Sequence, residues 1–210
     1  MKMKIAAIVP AYNEESTIGS VISALKSSPL IDEIIVVSDG SWDRTAEIAH
    51  ELGVTVVELE QNMGKGGAMY TGTCHTDADV FLFVDADLVG LNRHHVASLL
   101  NPIINNRAEM TVGVFEKGRL MTDLAQRITP FLSGQRAMTR KLFEQIPDLK
   151  SRGYGVEMAL SLYVSKHHCQ VEMVHLPNLS QVMKEEKRGF WKGLRQRLRM
   201  FWEILRAVKL

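Results

Sequence analysis

Uninterrupted runs of β-branched and apolar residues alternate with amphipathic stretches through the first half of the chain. Ile5–Val9, Ile34–Val37, Val54–Leu59 and Val80–Val84 read as strands. Ser16–Lys26, Asp43–Leu52 and Gly67–Thr76 read as the helices between them. Apolar runs without alternation suit strands buried on both faces, which predicts a mostly parallel sheet covered by helices, an α/β fold. Ser16 or Thr17 stands where the first helix needs an N-cap, and Gly53 stands where the second must stop.

Beyond Asp87 the pattern loosens. His94–Asn105 is predicted to be a helix capped by Asn92, Met110–Val114 a strand, Tyr154–Lys166 a helix, and Val171–Leu176 a strand ended by Pro177. Gly118, Thr129 and Pro130 interrupt 116–133, which predicts a mobile loop and a short helix. No internal repeat or linker divides the chain.

Polar groups collect where the first four strands end. Pro10-Ala11-Tyr12-Asn13-Glu14 follows the first, Ser38-Asp39-Gly40-Ser41 the second, Asn62-Met63-Gly64-Lys65-Gly66-Gly67 the third and Asp85-Ala86-Asp87 the fourth. Ligands bind at the carboxyl ends of strands in open α/β sheets. Turn chemistry explains any one of these loops, but four in succession point to a ligand crevice. Asp39 can accept from a base N–H, the contact that selects uracil or guanine. Lys65, in a Gly-rich loop, can meet phosphate oxygens. The hard oxygens of Asp85 and Asp87 suit Mg²⁺ or Mn²⁺ carrying a diphosphate. The Walker spacing is missing, so ATP hydrolysis is not indicated.

Composition narrows the class further. At 210 residues, 46% hydrophobic and 23% charged, the chain is sized for one soluble core. Cys74 and Cys169 suit a reducing compartment and are expected to pack as small apolar residues. Lys2 and Lys4 precede an apolar run that Pro10 ends too early for a signal peptide, so a cytoplasmic location is expected. The net charge is only +1, yet Lys184–Leu210 is strongly basic, with Phe190, Trp191, Leu194, Leu198, Phe201, Leu205 and Val208 at helical spacing. A basic amphipathic helix over 184–210 is therefore predicted. Membrane-surface contact through 189–208 at the inner face, packing on the body of the protein, and homodimerisation all fit it. No nucleic-acid partner is expected.

The four motifs, V-P-A-Y-N-E-E at 9–15, V-S-D-G-S-W-D-R-T at 37–45, N-M-G-K-G at 62–66 and D-A-D at 85–87, resemble family-2 glycosyltransferases of the GT-A fold. The resemblance implies a hexosyltransferase that uses a UDP- or GDP-sugar and a divalent metal. Carried over, Pro10, Ala11, Tyr12 and Glu14 line the nucleotide pocket, Asp39 binds the base, and Lys65 with Gly66 sits by ribose or diphosphate. Asp85 and Ala86 face ribose or sugar, and Asp87 ligates the metal. Ser38 departs from the acidic pair usual before the Gly. Ser133-Gly134-Gln135-Arg136 resembles the segment beneath the diphosphate, with Arg136 as a phosphate contact. Gly153-Tyr154-Gly155-Val156-Glu157 resembles the acceptor side of glucosyl-3-phosphoglycerate synthases and some polyprenyl-phosphate glycosyltransferases, with Glu157 touching sugar or acceptor or acting as a base. Gln181 is the expected second metal ligand. His175, in a strand, is expected to be a satisfied core residue rather than a ligand, and His94, His95, His167 and His168 are expected to be exposed on helices.

These readings divide the chain into a catalytic unit at 1–183, with a nucleotide-sugar half at 1–90 and an acceptor half at 91–183, and an extension at 184–210. The leading expectation is transfer of a hexose to a lipid phosphate such as polyprenyl phosphate, or to another membrane-associated acceptor. The alternative is a soluble retaining glucosyltransferase acting on a small phosphorylated acceptor. The acidic pair usual in inverting members is missing between Gly134 and Tyr163. A haloacid-dehalogenase-like phosphohydrolase also follows an apolar strand with D-x-D, but it needs a later acidic pair that Asp87 lacks. A catalytically idle membrane-surface module would account for Ser38, the missing acidic pair and Gln181.

Overall fold

The computed structural model describes residues 2–115, 134–147 and 156–182. The loop and short helix predicted over 116–133, the segment Gly153-Tyr154-Gly155 and the basic helix of 184–210 lie outside the described residues.

The first half follows the apolar pattern closely. Strand β1 (Ile5–Ala11), helix α1 (Ile18–Lys26), β2 (Glu33–Asp39), α2 (Thr45–Glu51), β3 (Thr55–Leu59), α3 (Gly64–Cys74) and β4 (Val80–Phe83) occur in that order. The second half contributes β5 (Leu88–Val89), α4 (Arg93–Ile104), β6 (Met110–Phe115), β7 (Arg136–Thr139), α5 (Arg140–Glu144), α6 (Val156–Lys166), β8 (Val171–Leu176) and β9 (Ser180–Gln181). The predicted cap of α4 is present: Asn92 Oδ1 accepts from the backbone N–H of His94 and His95 at 2.9 and 3.2 Å.

Seven strands form one sheet in the order β3-β2-β1-β4-β7-β6-β8. β1 runs parallel to β2 and β4, and β2 to β3. β7 enters antiparallel between β4 and β6, and β6 pairs parallel with β8. The sheet therefore runs through both halves of the chain. Alternate residues of its central strands feed two cores. Ala7, Val9 and Leu82 pack with Ile22, Leu25 and Leu99 on one face. Ala6, Ile8, Phe81 and Phe83 pack with Met69, Phe143 and Leu160 on the other. That two-sided burial is why these strands read as continuous apolar runs.

Several expectations need correction. β3 is the sheet's edge and only half-buried, because β2 pairs one side of it and no described strand pairs the other. Cys74 is exposed at the end of α3 rather than packed. His95 is buried, and its Nε2–H donates to Pro177 O at 2.9 Å, which ties α4 to the turn after β8. His175 is exposed on β8, an edge strand, instead of satisfied in the core.

Helix α3 begins at Gly64, so Lys65 lies in its first turn and not in a loop. Gly64-Lys65-Gly66-Gly67 reads locally as a turn because glycine disfavours helix by about 1 kcal/mol relative to Ala. A carboxylate from another strand overrides that preference: Asp39 Oδ1 accepts the backbone N–H of Met63 at 2.7 Å, at the helix N-terminus.

Candidate active site

A cavity of about 620 Å³ opens at the carboxyl ends of β1, β2 and β4. Its first wall is two loops laced together. The backbone N–H groups of Asn13, Glu14 and Glu15 donate to Ser41 Oγ, Thr45 Oγ1 and Asp43 Oδ2 at 3.2, 2.8 and 3.1 Å. In return the N–H groups of Trp42 and Arg44 donate to Asn13 Oδ1 at 3.0 Å and Glu15 Oε2 at 3.1 Å. Asn13 adopts a left-handed conformation, φ 56°, which an Asn tolerates better than most residues. Short polar side chains in both loops thus fix the β1 and β2 ends against each other, with Pro10, Ala11, Tyr12 and Glu14 on the cavity wall.

Asp39 lines the same cavity. Burial raises its carboxyl pKa, opposed by the N–H groups of Met63 and Gly64. A carboxylate has about four acceptor positions, so a base N–H can be added to the donors it already holds.

The far wall is ionic. Lys65 Nζ pairs with Asp85 Oδ1 and, at 2.6 Å, with Glu157 Oε1 from the first turn of α6. All three side chains are largely buried. Burial alone would lower the pKa of the Lys65 ammonium, but the charges of Asp85 and Glu157 outweigh it and raise the pKa. On the outer side, Gln181 Nε2 donates to Asp85 Oδ2 at 2.7 Å. Gln181 is held there by strand pairing: β9 runs antiparallel to β5, and Val182 N–H donates to Asp87 O at 3.0 Å.

Gly134 makes this arrangement fit. A Cβ there would overlap both the Asp85 carboxylate and the Lys65 ammonium. Gly134→Ala is therefore expected to cost about 1–3 kcal/mol of stability by overpacking. It should also weaken nucleotide binding, and thermal melts with calorimetric titration would register both effects.

Most of the expected residues converge here: Pro10, Ala11, Tyr12, Glu14, Asp39, Lys65, Asp85, Ala86, Asp87, Glu157 and Gln181 all line the cavity. Gly66 and Arg136 do not, and His175, not expected to be a ligand, lies on β8 away from the wall. Gly66 is buried in α3. Arg136 is wholly buried, off the wall, with Nη1 donating to Glu157 O at 3.4 Å. Burial lowers its pKa, and the charges of Glu157 and Asp85 oppose that. Arg136 thus backs the anionic pair, instead of reaching the cavity as a phosphate contact would. Asn13, Asp43 and Asn62, which stand in the strand-end loops, line the cavity as well, while Trp42 and Gly134 belong to the site without having been given a role. Both stood inside quoted segments, Trp42 in the motif at 37–45 and Gly134 beside Arg136.

The donor set bears on a metal. Among the described residues no group of three or more His, Cys, Asp or Glu side chains can hold an ion. Mg²⁺ and Mn²⁺ do not need one where a substrate diphosphate is present, since one or two carboxylates with phosphate oxygens and waters suffice. Asp87, with Oδ1 buried at the cavity, fits that role. Gln181 turns its amide N–H₂ to Asp85, which leaves its carbonyl as the only further protein oxygen it can offer.

The chain resembles known proteins in both sequence and fold. It is 30% identical over 190 residues to a glucosyl-3-phosphoglycerate synthase of Mycolicibacterium smegmatis, covering 74% of this chain and 62% of that protein. The chain thus spans about three-fifths of the length of such relatives. It is 31% identical over 205 residues to an uncharacterised protein of Methanocaldococcus jannaschii, covering 85% of this chain and 82% of the other. The crystal structure of glucosyl-3-phosphoglycerate synthase from Mycobacterium tuberculosis with Mn²⁺, UDP-glucose and phosphoglyceric acid superposes with a TM-score of 0.75 at 28% identity. That match covers 86% of this chain and 72% of the other. The profile of Glycosyl transferase family 2 matches residues 6–169. With the α/β architecture and the strand-end cavity in place, the chain belongs to glycosyl transferase family 2, with the GT-A fold.

Proposed function

We propose that this chain transfers a hexose, with glucose the leading candidate, from a UDP-sugar to a small phosphorylated acceptor in the presence of Mn²⁺ or Mg²⁺. The observation that carries the reading is the polarity of the cavity. It has a hydrogen-bond acceptor, Asp39, at its β2 end and the Lys65–Asp85–Glu157 cluster with Asp87 at its β4 end. A nucleoside diphosphate sugar has the matching order of base, diphosphate and sugar. Lys65 supplies the cationic group at the diphosphate end. Asp87 would hold the metal, which when bound offsets charge on the departing diphosphate. The solved synthase that bound UDP-glucose, Mn²⁺ and phosphoglyceric acid supports this acceptor class over a lipid phosphate. A related structure holds glycerol 3-phosphate, again a small phosphorylated molecule. Glu157, in the first turn of α6, is engaged by Lys65, which counts against its use as an inverting base and favours retention of configuration.

A second reading keeps the donor site and replaces the acceptor with polyprenyl phosphate at a membrane. Its support is the basic and apolar spacing over 184–210. Among the described residues no helix is long and apolar enough to cross a membrane. The test has two stages. Calorimetry with Mn²⁺ should show binding of UDP-glucose in preference to GDP-sugars, and absence of binding by any UDP- or GDP-sugar would overturn the proposal. Transfer should then be observed to 3-phosphoglycerate or glycerol 3-phosphate. Transfer confined to polyprenyl phosphate in vesicles would establish the second reading instead.

A further inference from the structure

Trp42 is 82% exposed, the most exposed large apolar side chain among the described residues. It nevertheless lines the cavity. Val171 and Met173, the exposed apolar residues of β8, do not. Leaving an indole in water forgoes the burial that aromatic residues ordinarily contribute to a core. The backbone beneath it is held firmly. Trp42 N–H donates to Asn13 Oδ1 at 3.0 Å, Asn13 N–H donates to Ser41 Oγ at 3.2 Å, and Glu15 N–H donates to Asp43 Oδ2 at 3.1 Å. A rigid loop that presents a solvated ring has already met much of the ordering cost of binding.

Position along the sheet edge identifies what the ring meets. Trp42 follows Asp39 by one short turn on the β2 side, whereas Lys65, Asp85 and Glu157 cluster toward β4. With β1 between β2 and β4, the two ends stand two strand spacings apart, about 10 Å. A nucleoside diphosphate has one flat, weakly polar end and one anionic end, separated by a ribose of comparable reach. We infer that Trp42 is the platform on which the donor's nucleobase stacks, and so a determinant of nucleotide affinity. The inference rests on the nucleotide-sugar reading above. Every base presents a π-face, so the ring supplies affinity without choosing between uracil and guanine.

Titrating the full chain with UDP, GDP and inorganic pyrophosphate, each with Mg²⁺, tests this in the parent, Trp42→Ala and Trp42→Phe. Base–aromatic stacking predicts roughly tenfold weaker binding of both UDP and GDP by Trp42→Ala. Pyrophosphate binding should be unchanged, and Trp42→Phe should recover most of the loss. The melting temperature should hold in both variants, because the indole packs on no core. UDP affinity in Trp42→Ala within about twofold of the parent, the range of an ordinary surface substitution, overturns the inference. Equal weakening of pyrophosphate overturns it too, because the effect would then not lie at the base. If the parent chain itself binds neither nucleotide, the nucleotide-sugar reading fails first and takes the inference with it. That failure is visible before any substitution is made.

Discussion

Asp87→Ala is expected to lose transfer activity by roughly a thousandfold while melting within a few degrees of the parent. The first half of that expectation follows from charge. A metal held by Asp87 would offset charge on the departing diphosphate by several kcal/mol, and about 4 kcal/mol corresponds to three powers of ten in rate. The second half follows from which atoms build the fold. The contact that closes β9 onto this segment is Val182 N–H to the main-chain oxygen of Asp87, and truncating the side chain leaves it in place. Electron paramagnetic titration of Mn²⁺ in the presence of UDP gives a readout separate from turnover and should show weakened binding. Activity within tenfold of the parent would remove Asp87 from the metal site.

Lys65→Met is expected to be the most damaging substitution to stability. It leaves the carboxylates of Asp85 and Glu157 facing each other, largely buried and without the ammonium between them. Removing one partner from a buried charge cluster costs about 3–5 kcal/mol. For a chain of this size that is a fall of about 10 °C in melting temperature. The pH dependence carries a sign. The Lys65 pKa is raised in the folded state, so its stabilisation is complete below the unfolded value near 10.4 and is lost only as pH climbs through the folded value. The lysine's contribution to the gap between parent and variant should therefore not change until the pH climbs above the ordinary lysine value. Adding Glu157→Gln to Lys65→Met should recover part of the loss, since it removes one of the orphaned charges. A variant that melts with the parent would show that the cluster does not hold the two sides of the cavity together.

The Asp39 carboxyl gives a gentler effect of the same kind. Because burial raises its pKa, it takes up its proton at a higher pH than an ordinary aspartate. Nucleotide affinity on the acid side should therefore begin to fall sooner than an exposed carboxylate would predict.

Much of the molecule was written locally. Strands β1, β2 and β4 are continuous apolar runs because both faces of the central sheet are covered, and burial on both faces is the one property such a run records. The Asn92 cap was readable because a cap acts on its own next turn. The strand-end loops were readable because open α/β sheets place ligands there. What tertiary structure decided depends on partners far away in sequence. β7 is short and carries the charged Arg136, and it becomes a strand through pairing with β4 and β6. Gly64-Lys65-Gly66 turns helical because Asp39 reaches its N-terminus from β2. Gln181 meets Asp85 across 96 positions because β9 is pinned to β5. The sequence by itself determined the α/β layers and the chemical inventory of the cavity, since hydrophobic period and residue type are local properties. Only the folded chain decided which carboxylate shares Lys65, which arginine is buried behind it and which tryptophan is left in water. Those outcomes depend on which distant segments come to lie side by side.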